Sequence, residues 1–186
     1  GMGINLPRLE SQVIRSNLEK QMLLVFTPSA NLLLNVMHHG GKHPLIELKQ
    51  IYDIAMILDK HKNIDWDWVI SEARLFNVAD VLFITVKLAT VLTGVIVPKQ
   101  IRLLTESNKI RRLTRNRIQV MSQPPEKWTG KWFSLNGWIY RIRARTGLKV
   151  KVMLVVYISR LVIARFLIPQ QYRNLFLSSQ CKISRR

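Results

Sequence analysis

The amino-acid sequence predicts an all-α protein, a helical bundle with a basic helical C-terminal extension. Three features carry that prediction. Apolar residues recur at helical spacing along most of the chain instead of alternating as in a half-buried strand. Proline and glycine punctuate these stretches at Pro28, Gly40-Gly41, Pro44, Gly94, Pro98 and Pro124-Pro125. Apolar residues make up 48% of the 186, which suits one domain with a core and not a disordered chain.

Residues 2–25 read as a lead-in segment, with Gly1 a remnant ahead of Met2. The predicted bundle occupies residues 26–117. Its first helix, "TPSANLLLNVMHH", has Thr27 as N-cap and Pro28 at the first helical position, where a missing N–H costs nothing. Leu32, Leu33, Val36 and Met37 give it an apolar face, and Gly40-Gly41 is expected to end it. A second helix follows Pro44 and runs to about His61, with Leu45, Leu48, Ile51, Tyr52, Ala55, Ile57 and Leu58 as its apolar residues. "NIDWDWVISEARLF" opens a third with Asp65 as N-cap. The fourth, from about Val78 to Thr93, is apolar almost all round and therefore expected at the centre. Pro98 opens a fifth, basic helix to about Arg117. Residues 118–132 are the predicted linker, broken by Pro124-Pro125. Residues 133–186 are predicted to form a basic helical tail packing back on the bundle.

The net charge of +18 belongs entirely to one half of the chain. Residues 1–98 carry nine Lys and Arg against nine Asp and Glu; residues 99–186 carry twenty against two, Glu106 and Glu126. Such asymmetry points to an anionic partner, set against the blander reading of a solvated basic surface. The apolar run from about Leu148 to Ile168 contains Lys149, Lys151, Arg160 and Arg165, and charges at a bilayer centre are costly. It reads as a helix packed on the core or a partner, with a membrane-surface helix as the lesser alternative. The single cysteine, Cys181, rules out a disulfide within the chain, and no secretory signal is evident. A cytoplasmic location is the expectation.

The stretch "NVMHHGGKHPL" gathers three histidines, two glycines and a lysine. His39 and His43 would share a face only on a continuous helix, which Gly40-Gly41 and Pro44 argue against. No cysteine pair or His-Glu-x-x-His helix completes a zinc site, so no metal is predicted there. Two readings stay open: the histidines cap the helix C-terminus, or the bend's backbone N–H groups and Lys42 hold a phosphate. Asp65 and Asp67 read as a helix start and not as a Mg2+-binding pair, because the surrounding pattern is not a strand. Trp128, Trp132, Phe133, Trp138 and Tyr140 lie among basic residues and either stack RNA bases or pack as core and linker, the latter being favoured.

From Phe26 to Pro98 the sequence resembles the helical part of an uncharacterised bacterial nucleotidyltransferase family. The resemblance rests on "LLLNVMHHGGKH", "LKQIYDIAMIL", "NIDWDWVISEARLF" and "VLFITVKLATVLTGVIVP". The matching positions are His39, Gly40, Lys42, His43, Leu48, Asp53, Ile54, Ala55, Asp65, Trp66, Gly94 and Pro98. "SRLVIARFLIPQQYRNLFL" is similar, less specifically, to the family's arginine-rich tail.

That resemblance implies kinship with enzymes that transfer a nucleotidyl group from an NTP. In them a Gly-Ser turn holds the phosphates and an Asp-x-Asp pair with a third carboxylate holds Mg2+. Residues 2–25 contain no such turn or pair, their acids being Glu10 and Glu19. The expectation is a helical lobe without its own metal-binding carboxylates. It is then a fragment, a truncated paralogue that is non-catalytic alone, or half of a two-part enzyme. Whether the chain is itself an enzyme stays open, and Mg2+ and NTP enter only with a catalytic partner domain or chain. His39, Lys42, His43 and Asp53 are the candidate ligand- or phosphate-binding residues, with Asp53 orienting a histidine. The alternative is a basic helical binding module whose residues 99–186 dock RNA or an acidic protein.

Overall fold

The computed structural model describes residues 10–18, 21–42, 47–124, 131–145, 147, 148, 151–153, 155, 156 and 159. For residues 17, 18, 41, 42, 131–136 and 138 it describes the backbone alone. These residues fall into two units divided at Gly147.

The first unit is mainly helical, as expected, but it opens with strands. β1 (Val13–Leu18) and β2 (Gln21–Phe26) pair antiparallel, from Val13 opposite Phe26 to Leu18 opposite Gln21. This hairpin occupies the segment read from the sequence as a lead-in. "QMLLVF" is a continuous apolar run with no alternation to mark a strand, which is why it was not legible. Thr27 fastens the hairpin to the helical part of the unit: its N–H donates to the Gln12 carbonyl at 2.7 Å, and its hydroxyl donates to Gln12 Oε1 at 2.8 Å.

Thr27 also caps α1 (Pro28–Asn35), accepting from the Ala30 N–H. The chain then continues as a π-helical segment, Val36–Lys42. Gly40-Gly41 therefore does not end the helix, as the sequence suggested; helical backbone passes through both glycines with widened turns. Gly40 is buried, and the segment packs against α1 and against a later central helix.

α2 (Leu48–Lys60) buries Gln50, Ile51, Ile54, Ala55 and Leu58. Leu48 and Tyr52, expected on its apolar face, are exposed. Leu48 stands at the first helical position and Tyr52 one residue off the 51–54–55–58 stripe. α3 (Trp66–Leu75) starts at Asp65, whose carboxylate accepts from the Trp68 N–H at 3.0 Å, as the sequence predicted. α4 (Ala79–Thr93) is the central helix. Every residue from Ala79 to Ala89 is buried except Asp80 and Lys87, and α2, α3, the π-helical segment and the longer basic helix over Asn108–Met121 all reach it. Thr85, Thr90 and Thr93 satisfy their hydroxyls on the carbonyls of Val81, Val86 and Ala89, one turn back. Gly94 closes α4 with φ +75°, a left-handed C-cap.

The predicted fifth helix is two. α5 (Lys99–Leu104) stops at Thr105, and α6 (Asn108–Met121) restarts on Ser107, whose hydroxyl accepts from the Ile110 N–H. α6 also runs past the expected end at Arg117. α7 (Lys131–Ala144) comes next and adds Tyr140 and Ala144 to the same core.

In the second unit, the Lys151 N–H donates to the Gly147 carbonyl, and the Ser159 hydroxyl to the Val155 carbonyl, both helical contacts. Most of the predicted tail lies outside the described residues. Among those described, no helix is long and apolar enough to cross a membrane.

Candidate functional site

The candidate site is built where the π-helical segment faces α2. His38 and His39 sit together on the segment, their rings edge to face with centroids 5.0 Å apart. His38 is exposed, while the His39 side chain keeps 16% of its surface. Asp53, one turn after the buried Gln50 on α2, brings Oδ2 to 3.7 Å from His39 Nε2. That separation is long for a hydrogen bond and within range of an ion pair once the imidazole is protonated. The gap admits attraction between opposite charges but no orienting hydrogen bond.

Of the four candidate residues, the structure thus brings His39 and Asp53 together. Lys42 supplies the last backbone position of the π-helical segment. His43 lies outside the described residues, as do the side-chain contacts of Lys42. Among the described residues no three His, Cys, Asp or Glu side chains gather to hold an ion. Asp65 spends a carboxylate oxygen on its helix cap, and Asp67 is exposed in the first turn of α3.

The basic half divides into paired, exposed and buried cations. Lys109 on α6 pairs with Asp80 on α4, and Lys87 on α4 pairs with Glu106 at 2.6 Å. The hydrogen bond from Lys87 holds the Glu106 carboxyl below the ordinary range, helped by the charges of Arg111 and Arg102. Lys99, Arg102, Arg111, Arg112 and Arg115 point to solvent from α5 and α6. Arg111 and Arg115 are four apart and share one helix face.

Arg117 departs from this pattern. It is 1% exposed, and its Cζ stacks 4.5 Å from the ring centroid of Tyr140, which is equally buried. Burial lowers the pKa of Arg117 and of Arg145, and raises that of Tyr140. Tyr140 is therefore a core residue and not a base-stacking platform. Trp128 lies outside the described residues, and for Trp132, Phe133 and Trp138 the backbone alone is described. Sequence reading named Arg117 only as the approximate end of the basic helix. The available signal was its i,i+4 spacing from Leu113, a buried position.

Residues 5–94 match the family model described as uncharacterised nucleotidyltransferase. The match starts ahead of the hairpin and ends on the Gly94 cap, so it takes in β1, β2 and every element through α4. It includes most of the segment that reads from the sequence as a lead-in without family likeness. Comparison with curated proteins and with solved structures returned no match. His39 and Asp53 both lie inside the matched region, and over residues 5–94 this chain is similar to the uncharacterised nucleotidyltransferase family.

Proposed function

We propose that the chain serves as the helical lobe of a nucleotidyltransferase-type protein, its His39–Asp53 pair facing the phosphates of a nucleotide. The observation that carries this reading is the approach of Asp53 to His39 inside the family-matched segment. A protonated His39, kept cationic by Asp53, donates to a phosphate oxygen and offsets part of its charge. Lys42 and His43, next along the chain, would extend the cationic edge. The metal-binding carboxylates of such chemistry would come from a partner domain or chain. Mg2+ and NTP then act where the two meet, and the described residues alone do not complete the reaction.

The test is nucleotide binding by calorimetry, with and without Mg2+, on the full chain and on His39→Ala and Asp53→Asn. Loss of one charge-assisted hydrogen bond predicts roughly tenfold weaker binding for His39→Ala. Unchanged binding in both variants, with only a lower melting temperature, would mean that the pair is structural.

A second reading, a basic module for RNA or an acidic protein, is favoured by one observation: the exposed cations of α5 and α6. It predicts binding to polyanions that weakens steeply with salt and shows no nucleotide preference.

A further inference from the structure

The seam between α6 and α7 holds a second concentration of anion-seeking groups, outside the family-matched residues. Thr114 and Arg117 lie three apart on the buried face of α6, and Arg117 stacks on Tyr140 of α7. Arg141 follows Tyr140 directly, and Arg145, four residues on, is buried just past the end of α7. Arg141 and Arg145 are close enough for their charges to act on one another, and Arg117 and Arg145 both act on Tyr140.

Two buried hydroxyls in this seam are unsatisfied. Tyr140 is 1% exposed and Thr114 is 3% exposed, and neither oxygen has a hydrogen-bond partner among the described residues. The omission in Thr114 is specific. Thr85, Thr90 and Thr93 each bond to the carbonyl one turn back, and Thr114 does not. A buried hydroxyl left without a partner is costly, so a group that supplies the missing acceptor gains from both. Arg117 already donates from Nη2 to Asn116 Oδ1, and it is the two hydroxyls that lack an acceptor; set among guanidinium charges, they suit an acceptor-only anionic ligand.

We propose that this seam is a binding site for a phosphate-sized oxyanion, held by Arg117, Arg141 and Arg145 with the hydroxyls of Tyr140 and Thr114. The depth of the site selects a small ligand. Arg117 and Tyr140 are each 1% exposed, out of reach of a nucleic-acid backbone. Arg141 is partly exposed and marks where the seam meets solvent. The shared chemistry is a phosphate group, either inorganic phosphate or the terminal group of a phosphomonoester.

The experiment measures melting temperature and calorimetric affinity of the full chain with inorganic phosphate, and separately with methyl phosphate, against chloride at equal ionic strength. Tyr140→Phe and Thr114→Val remove one oxygen each and keep the volume, so both variants fold. The expected result is a phosphate-dependent rise in melting temperature and roughly tenfold weaker affinity in Tyr140→Phe. Without phosphate, Tyr140→Phe is at least as stable as the parent, because it loses an unsatisfied hydroxyl. A response to methyl phosphate equal to that for phosphate supports the phosphomonoester, and a response to phosphate alone supports the free ion. Absence of any response in the parent, or an equal response in the parent and both variants, overturns the proposal.

Discussion

The backbone N–H of Asp65 donates to the hydroxyl of Ser29 at 2.8 Å. The residue that caps α3 is thereby held by the first turn of α1, thirty-six positions earlier in the chain. Ser29 is buried, so its hydroxyl is committed to this contact. Ser29→Ala should lower stability by about 1 kcal/mol, read as a shift in the urea midpoint with an unchanged slope.

Asp65→Ala keeps that N–H and removes only the cap on Trp68. The expected cost is about 1 kcal/mol, with Asp65→Asn close to the parent. Because the carboxylate acts as a cap, added Mg2+ should leave the melting temperature of the parent unchanged, as it does that of both variants. A Mg2+-dependent rise that Asp65→Asn abolishes would make Asp65 a metal ligand instead.

Gly94 holds φ +75°, and a Cβ built there meets no atom within 4 Å. The cost of a side chain is thus conformational and not steric. Gly94→Ala should destabilise by about 1 kcal/mol, and Gly94→Asn by less, since asparagine tolerates the left-handed region. Thermal unfolding of the three proteins side by side checks the order.

Glu106 gives the pH dependence a sign. Its carboxyl titrates lower when folded than the ordinary value of 4.5, chiefly because Lys87 donates to it. Its contribution is complete above about pH 4.5 and is lost as the pH falls through the folded value. The carboxylate is half exposed, so the effect is small. Glu106→Gln should flatten the acid side of the stability profile below about pH 4.5 and leave the region well above it parallel to the parent. An acid limb unchanged in the variant would show that the pair contributes nothing.

The parts of this fold that were legible in the sequence are those set by local chemistry. Thr27-Pro28 and Asp65 announce helix starts because a side-chain oxygen and a missing N–H suit those positions whatever surrounds them. Gly94 announces an end for the same reason. The all-round apolar α4 could only be central. What escaped depends on partners distant in the chain. The hairpin exists because β1 and β2 pair with each other, and "QMLLVF" alone carries no strand period. The break at Thr105 was written in "TESN", but the basic run on either side suggested one helix. Asp53 was singled out by resemblance, and its approach to His39 depends on how α2 and the π-helical segment are each set against α4. Arg117 looked like its neighbours Arg111, Arg112 and Arg115; only the arrival of Tyr140 from α7 sets it apart.

The π-helical segment has a genetic consequence. A widened turn holds an extra residue relative to an α-helix, so Val36–Lys42 carries slack that the flanking helices lack. Loss of one codon at Gly40 or Gly41 is expected to be absorbed there by reversion to α-helical winding, whereas the same loss in α4 would rotate every residue beyond it by about 100° out of its packed position. Shortening the segment by one residue is therefore expected to keep the fold, which the melting temperature of a Gly41 deletion checks. What such a deletion would sacrifice is the angle at which His39 meets Asp53.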